Sequence, residues 1–291
     1  MNLLYITFGV NTAVHMQAAF SIYSFLARFE KYNSVNIITD NKLYYQHLED
    51  RVNIIEMTEE ELKEWKGEYQ FFWRIKIKAI EKICNVYPGE PVLYLDTDTF
   101  LWGNILSIQN DLATGKAFMH ENEGALSGKK SKTEKKMWQQ IDGKTFGNIQ
   151  MQFTECMWNA GVVFTPNQKE GKDCELALNI CDEMCRAGVT KRLIEQFSLS
   201  VALNHFYGLS EANTVIAHYW SAKEPWNKAI ADFFLEAYFA KWSYDAIIHK
   251  LQHFDTSMLP VYQRTRNTNL RLNNMINKIF SPKGVQYLKR L

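Results

Sequence analysis

The chain has no long apolar run: no hydrophobic stretch approaches the roughly 18 consecutive residues that a membrane-spanning helix requires. Its start, MNLLYITFGVNT, has no basic residue ahead of the apolar run and no small-residue cleavage site, from which a cytoplasmic chain is expected. Excess charge of one sign is lacking too. With 33 Lys or Arg against 32 Asp or Glu the net charge is +1, which excludes a binder whose whole surface is basic, so no nucleic-acid partner is expected. Five cysteines (Cys84, Cys156, Cys174, Cys181, Cys185) are an odd number without zinc-ligand spacing, and they read as small buried hydrophobes. No GxGxxG follows the first strand, so a Rossmann-type dinucleotide site is not supported. No internal repeat marks a solenoid.

What is present suits an ordinary globular protein. An apolar share of 46% with 22% charged residues over 291 positions is enough for one large core or two modest ones. Charge is unevenly placed. Residues 264–291 hold seven Lys or Arg and no acid, leaving 1–263 net acidic. The expectation is a main domain over 1–263 and a basic, helical tail over 264–291. In the tail Leu270, Leu272, Met275, Ile276, Ile279 and Phe280 recur near helical spacing among Arg271 and Lys278. That pattern suits either peripheral contact with an anionic membrane or packing on the parent domain.

The organising stretch is VLYLDTDTF, residues 92–100. An apolar, β-prone run ends in Asp96 and Asp98, and Pro88, Gly89 and Pro91 set it off from the segment upstream, so a buried strand delivers two acids at its carboxyl end. In open α/β sheets ligands bind there. Upstream, Leu3 to Phe8 and Val35 to Thr39 read as strands around a helix over Ala13 to Phe29, a βαβ unit. Thr7, Asn11 and Asp40 fall at or just beyond the strand ends, where a nucleotide base and ribose would be held, although each alone also suits a turn. Arg51 to Met57 is a further strand, and Thr58 with three glutamates reads as a helix start. Phe71 to Val86 is an amphipathic helix with an apolar face of Phe72, Ile75, Ala79, Ile80 and Ile83. Its Arg74, Lys76 and Lys78 form a solvated basic face, or else Arg74 or Lys78 reaches a phosphate.

Downstream, Ala117 to His120 is a short strand ending at Glu121, and 123–148, polar and Gly- and Lys-rich, reads as a mobile loop. Met157 to Phe164 is a strand run with Asn159, Ala160 and Gly161 in it, small enough to admit a ligand to the backbone. Helices follow over Cys174 to Ala187 and Leu193 to Phe206, the latter with Glu195 and Gln196 in its first turns. Thr214 to Ala217 is a last short strand, followed directly by His218, and 229–254 looks helical. Strands and helices alternate as a mixed α/β domain requires.

Side chains two apart on a strand point the same way, so Asp96 and Asp98 can share a hard divalent cation, Mg²⁺ or Mn²⁺, whose open positions suit diphosphate oxygens. His218 would complete the coordination, Lys223 would place a positive charge on the departing phosphate, and Trp226 would wall the pocket.

The elements LYLDTDTF, WNAGVVF, EQFSLS and HYWSAKEPW, in this order and spacing, resemble the GT-A fold glycosyltransferases, closest to family 8, over residues 3 to about 226. The resemblance implies an α/β, mostly parallel sheet flanked by helices and a catalytic domain over 1–263. It implies transfer of a sugar from a nucleotide-diphosphate donor, a UDP-sugar, to a glycan or lipid-linked acceptor with retention. By resemblance Asp96, Asp98 and His218 are the metal ligands for Mn²⁺ or Mg²⁺, and Glu195 and Gln196 are the acid–amide pair near the reacting carbon. Asn159, with Ala160 and Gly161, and Glu121 would meet the donor sugar, and Thr97 joins the nucleotide contacts. The chain departs from the family's H-x-x-G-x-x-K-P-W: Ser221 replaces its glycine, Glu224 stands at its lysine position and Lys223 comes one residue early. Glu195 replaces the usual aspartate. DTDT also resembles the opening of haloacid-dehalogenase phosphohydrolases, and a non-catalytic nucleotide-sugar binder is a third reading.

Overall fold

Alternation of apolar side chains across two faces builds the main sheet. The structure, a computed structural model, describes residues 1–29, 32–48, 50–263, 272, 275–276 and 278–280. The tail expected over 264–291 therefore lies almost wholly outside the described residues. Strand β1 (Asn2–Thr7) sends Leu3 and Tyr5 into one core and Leu4 into the other. Helix α1 (Thr12–Arg28), N-capped by Asn11, returns the chain to β2 (Ser34–Thr39), parallel to β1. β3 (Asn53–Glu56) adds parallel to β2, and Thr58 and Glu61 form a reciprocal capping box at the start of α2 (Glu59–Trp65). Helix α3 (Arg74–Val86) buries Ile75, Ile77, Ala79, Ile80 and Ile83, and β4 (Val92–Leu95), buried throughout, pairs parallel to β1.

Beyond β4 come β5 (Thr99–Leu101), α4 (Leu106–Ala113), β6 (Ala117–Met119), β7 (Asn122–Ala125) and α5 (Lys132–Ile141). Two-residue strands β8 (Thr145–Phe146) and β9 (Ile149–Gln150) precede β10 (Cys156–Trp158), β11 (Val162–Thr165), α6 (Lys172–Arg186) and α7 (Ile194–Tyr207). The described fold ends with β12 (Leu209–Glu211), β13 (Ile216–His218), α8 (Lys223–Phe239) and α9 (Tyr244–Gln252). The main sheet has seven strands in the order β12-β6-β11-β4-β1-β2-β3, with β11 antiparallel to both of its neighbours and the other pairs parallel. One core lies between the sheet and α3, α6 and α7, and the other between the sheet and α1, α8 and α9. Among the described residues, no helix is long and apolar enough to cross a membrane.

Three local expectations are corrected. Residues 123–148 are not a loop: Ser131 caps α5, whose Met137 and Ile141 are fully buried in the first core, so two well-placed apolar residues order a polar segment. The strand run of Met157 to Phe164 breaks at Asn159-Ala160-Gly161, and β10 pairs with β7 while β11 enters the main sheet. The helix after Phe71 begins only at Arg74, which leaves Phe72 and Trp73 exposed.

Candidate functional site

β4 ends at Leu95, and the next residues turn. Asp96 N–H donates to Gly161 O (2.8 Å), and Thr99 Oγ1 donates back to Asp96 O (2.8 Å). β5 then pairs antiparallel with β13 in a register that sets Thr99 opposite His218, and Tyr219 N–H donates to Asp98 O (3.0 Å). Asp96, Asp98 and His218 thereby converge, with ligand-type atoms all within 4.8 Å of one another. The acids meet because the chain turns between them; they do not alternate along one strand as their spacing suggested. Two carboxylates and an imidazole are a donor set that fits a divalent ion such as Mn²⁺.

Charge is balanced within the cluster. Asp98, 3% exposed, has Oδ1 3.4 Å from His218 Nε2 and Oδ2 2.8 Å from Lys223 Nζ. Burial pushes its carboxyl up, but His218 and Lys223 outweigh burial and hold it well below the ordinary carboxylate range. Asp96 Oδ1 accepts from Tyr94 OH (2.6 Å) and lies 3.3 Å from Lys76 Nζ. Lys76 also donates to Ala160 O (2.9 Å) and approaches Glu195 Oε1 at 3.1 Å. Burial works against the Lys76 ammonium, yet Asp96 and Glu195 prevail and raise its pKa, so it stays charged. His120, buried beside His218, is pushed down to about 4, first by burial and then by the neighbouring imidazole.

The cluster opens into a cavity of about 790 Å³. Thr7, Thr97, Asn159, Ala160, Gly161, Gln196 and Lys223 line it, as expected of a ligand site, together with the three ligand-type residues. Thr97 donates to Gln17 of α1 (3.1 Å), and Thr7 donates to Thr39 (3.1 Å) while accepting from Tyr45 (3.0 Å). Asn11 and Asp40 sit beyond the strand ends. Asn11 accepts from Ala13 N–H as the cap of α1, and both Asp40 oxygens accept from Gly9 N–H. Glu195 is buried behind the wall, while its neighbour Gln196 faces the cavity.

Asn11, Asp40 and Glu195 do not line the cavity, and four further expected residues are engaged elsewhere. Arg74 forms a bidentate pair with Asp182 (2.7 and 2.9 Å) and donates to Trp65 O (2.9 Å), so its charge fastens α3 to α6. Lys78 pairs with Glu81 on its own helix. Neither lines the cavity. Trp226 is fully buried in the second core, stacked on Tyr219 at 4.5 Å with Nε1 donating to Pro260 O (3.0 Å); the indoles at the cavity are Trp73 and Trp220. Glu121 is exposed and contributes only its carbonyl, which accepts from Asn159 N–H (2.9 Å); the strand acid at the cavity is Glu123.

Lys76 is the main residue that sequence pattern did not single out, and a signal for it existed. It stands at i with Ile80 at i+4 and Ile83 at i+7, inside the apolar stripe of α3, where a lysine needs buried acids.

A seven-stranded sheet flanked by helices, parallel but for the single antiparallel strand β11, matches the GT-A fold of solved glycosyltransferases. Among solved structures the chain is similar to the galactosyltransferase LgtC in complex with donor and acceptor sugar analogues. Identity is 13%, coverage is 89% of this chain and 98% of that one, and the TM-score is 0.51. It is also similar to the glycosyltransferase GlyE of Streptococcus pneumoniae, with 12% identity, 90% of this chain and 65% of that one covered, and a TM-score of 0.51. No protein-family profile matches the chain, and no curated protein matches it in sequence. At these identities the likeness establishes the fold.

Proposed function

We propose that this protein is a metal-dependent glycosyltransferase of the family 8 kind, moving a sugar from a UDP-sugar to a hydroxyl of a glycan or lipid-linked acceptor with retention. The observation that carries the reading is the Asp96-Asp98-His218 cluster at the end of β4, opening into the large cavity of a fold shared with two solved glycosyltransferases. Asp96, Asp98 and His218 would hold Mn²⁺ or Mg²⁺, which when bound neutralises charge on the leaving diphosphate. Lys223, half-exposed at the start of α8 and 2.8 Å from Asp98, would reach a diphosphate oxygen without leaving its helix. Thr7, Asn11, Asp40 and Thr97 would hold the nucleoside end, and Asn159, Ala160 and Gly161 the donor sugar. Gln196 would face the reacting carbon, with Glu195 fixed behind it by Lys76.

The phosphohydrolase reading finds less support. It requires the acidic strand to open its domain, whereas β4 is fourth in sequence. Calorimetric titration of UDP, with and without Mn²⁺, into the protein and Asp98→Ala tests the proposal. Metal-dependent binding that the variant loses, followed by turnover of a UDP-sugar, is expected. Failure of UDP, GDP and other nucleoside diphosphates to bind the unaltered protein would overturn it.

A further inference from the structure

We infer that Asn159 fixes the tautomer of His218, and that Glu123, on a strand outside the main sheet, fixes Asn159. The tautomer argument needs only the hydrogen bonds; its metal readout rests on the proposed cation site. His218 Nδ1 lies 3.1 Å from Asn159 Oδ1. A side-chain amide can present oxygen or NH₂, so this distance alone does not say which atom meets the ring. Two neighbours decide it. Gly161 N–H, which can only donate, meets the same Asn159 atom at 3.0 Å, and Glu123 Oε1 meets the opposite one at 3.3 Å. The reverse orientation would set N–H against N–H and oxygen against carboxylate. Asn159 oxygen therefore faces His218. An amide oxygen carries no proton, so Nδ1–H is the donor, and Nε2 is the ring nitrogen that faces Asp98 Oδ1, at 3.4 Å longer than an ordinary hydrogen bond.

Packing limits the ring on one side. A Cβ on Gly161 would fall 2.1, 2.3 and 2.8 Å from His218 Cε1, Nδ1 and Nε2, so the imidazole lies directly against the glycine backbone and cannot swing toward it. Glu123 is held in turn: Lys129 Nζ is 3.7 Å from Glu123 Oε2 and 3.4 Å from Glu134 Oε1 in the first turn of α5. The cavity wall built by β7 and α5 thus reaches His218 through Asn159. Glu123 and Asn159 are positioning residues for the histidine.

Long-range ¹H–¹⁵N correlation on histidine-labelled, metal-free protein at pH 8 reads the tautomer directly. His218 is expected as Nδ1–H in the unaltered protein and as a mixture in Asn159→Ala. Combining Asn159→Asp with Glu123→Gln reverses donor and acceptor between these two side chains, keeps an oxygen toward the ring and conserves net charge, so Nδ1–H should return. With Mn²⁺ alone in a calorimeter, Asn159→Ala should bind about tenfold more weakly, the scale for losing an outer partner of a metal-bound histidine, and the paired variant should recover. Nδ1 without a proton in the unaltered protein, or an unchanged tautomer in Asn159→Ala, would overturn the inference. If that variant loses its native circular dichroism, Glu123→Ala replaces it, since Gly161 N–H then keeps its partner; an unchanged tautomer there removes Glu123 from the chain. Absence of Mn²⁺ binding together with the expected tautomer would sink the metal reading and leave the tautomer assignment standing.

Discussion

Replacing Lys76 with methionine asks whether buried charge, and not only packing, holds the cavity wall. The lysine is 7% exposed, and its ammonium meets Asp96 Oδ1 at 3.3 Å, Glu195 Oε1 at 3.1 Å and Ala160 O at 2.9 Å. Methionine keeps most of the stem's volume and removes the charge. Asp96, whose side chain is 30% exposed, still has water and the Tyr94 hydroxyl; Glu195, at 6%, has neither. Removing one partner of a buried pair costs about 3–5 kcal/mol, because the other charge is stranded. Since Asp96 is spared, urea unfolding at pH 8 should show the lower end, about 3 kcal/mol. The loss carries a pH signature. With Lys76 gone, burial pushes the Glu195 carboxyl up without its main counterweight, so the native state binds a proton that the unfolded chain holds only below about pH 4.3. Stability of the variant then falls as pH rises through that window, and the deficit is complete above the raised native value and fades below it. A cavity would show no such dependence. Adding Glu195→Leu removes the stranded acid and should return most of the loss. A deficit under about 1 kcal/mol, a deficit unchanged between pH 8 and pH 5, or a double variant no more stable than the single one would refute the reasoning.

Gly161→Ala must displace the His218 ring, so stability should drop by about 1–3 kcal/mol and calorimetric Mn²⁺ affinity by about tenfold or more; retained affinity would mean His218 is not a ligand. Arg74→Met should lower the unfolding free energy from urea titration by about 1 kcal/mol, discounted for the part-exposed Asp182 partner, and leave the Kd for UDP within about twofold. A Kd about tenfold weaker would restore the phosphate role first expected of this arginine. Trp226→Ala should cost about 3–5 kcal/mol in urea unfolding. Trp220→Ala, half-exposed at the cavity, should cost under about 0.5 kcal/mol, and equal losses at the two positions would contradict their placement.

The parts of this protein legible in its sequence are those where one local pattern settles the outcome. Val92 to Leu95 is apolar at every position, so it must be buried on both faces, and the acids that follow must leave the sheet at its carboxyl end. The alternation of such runs with amphipathic helices likewise fixes a mixed α/β architecture. The β5–β13 ribbon was not legible as a pair, because each strand has only three residues and their partnership is set by the register between Thr99 and His218. Composition misleads in α5, where two buried side chains among charged neighbours outweigh the polarity of the whole segment. Within the site, residue type is a poor guide when two equivalent residues stand close together. Trp226 and Trp220 differ only in which faces the core, and Glu121 and Glu123 only in which faces the cavity, a choice made by the bulge between β7 and β10 at Met157 and Trp158. Arg74, Lys76 and Lys78 make the same point on a helix. Residues two apart on a helix are rotated by about 200°, so the middle one of the three cations turns inward to Asp96 and Glu195 while the outer two find Asp182 and Glu81. The inward one is identified only by asking which position shares the apolar stripe and which acids can compensate it, and the acids that answer come from the turn after β4 and from α7, outside the helix.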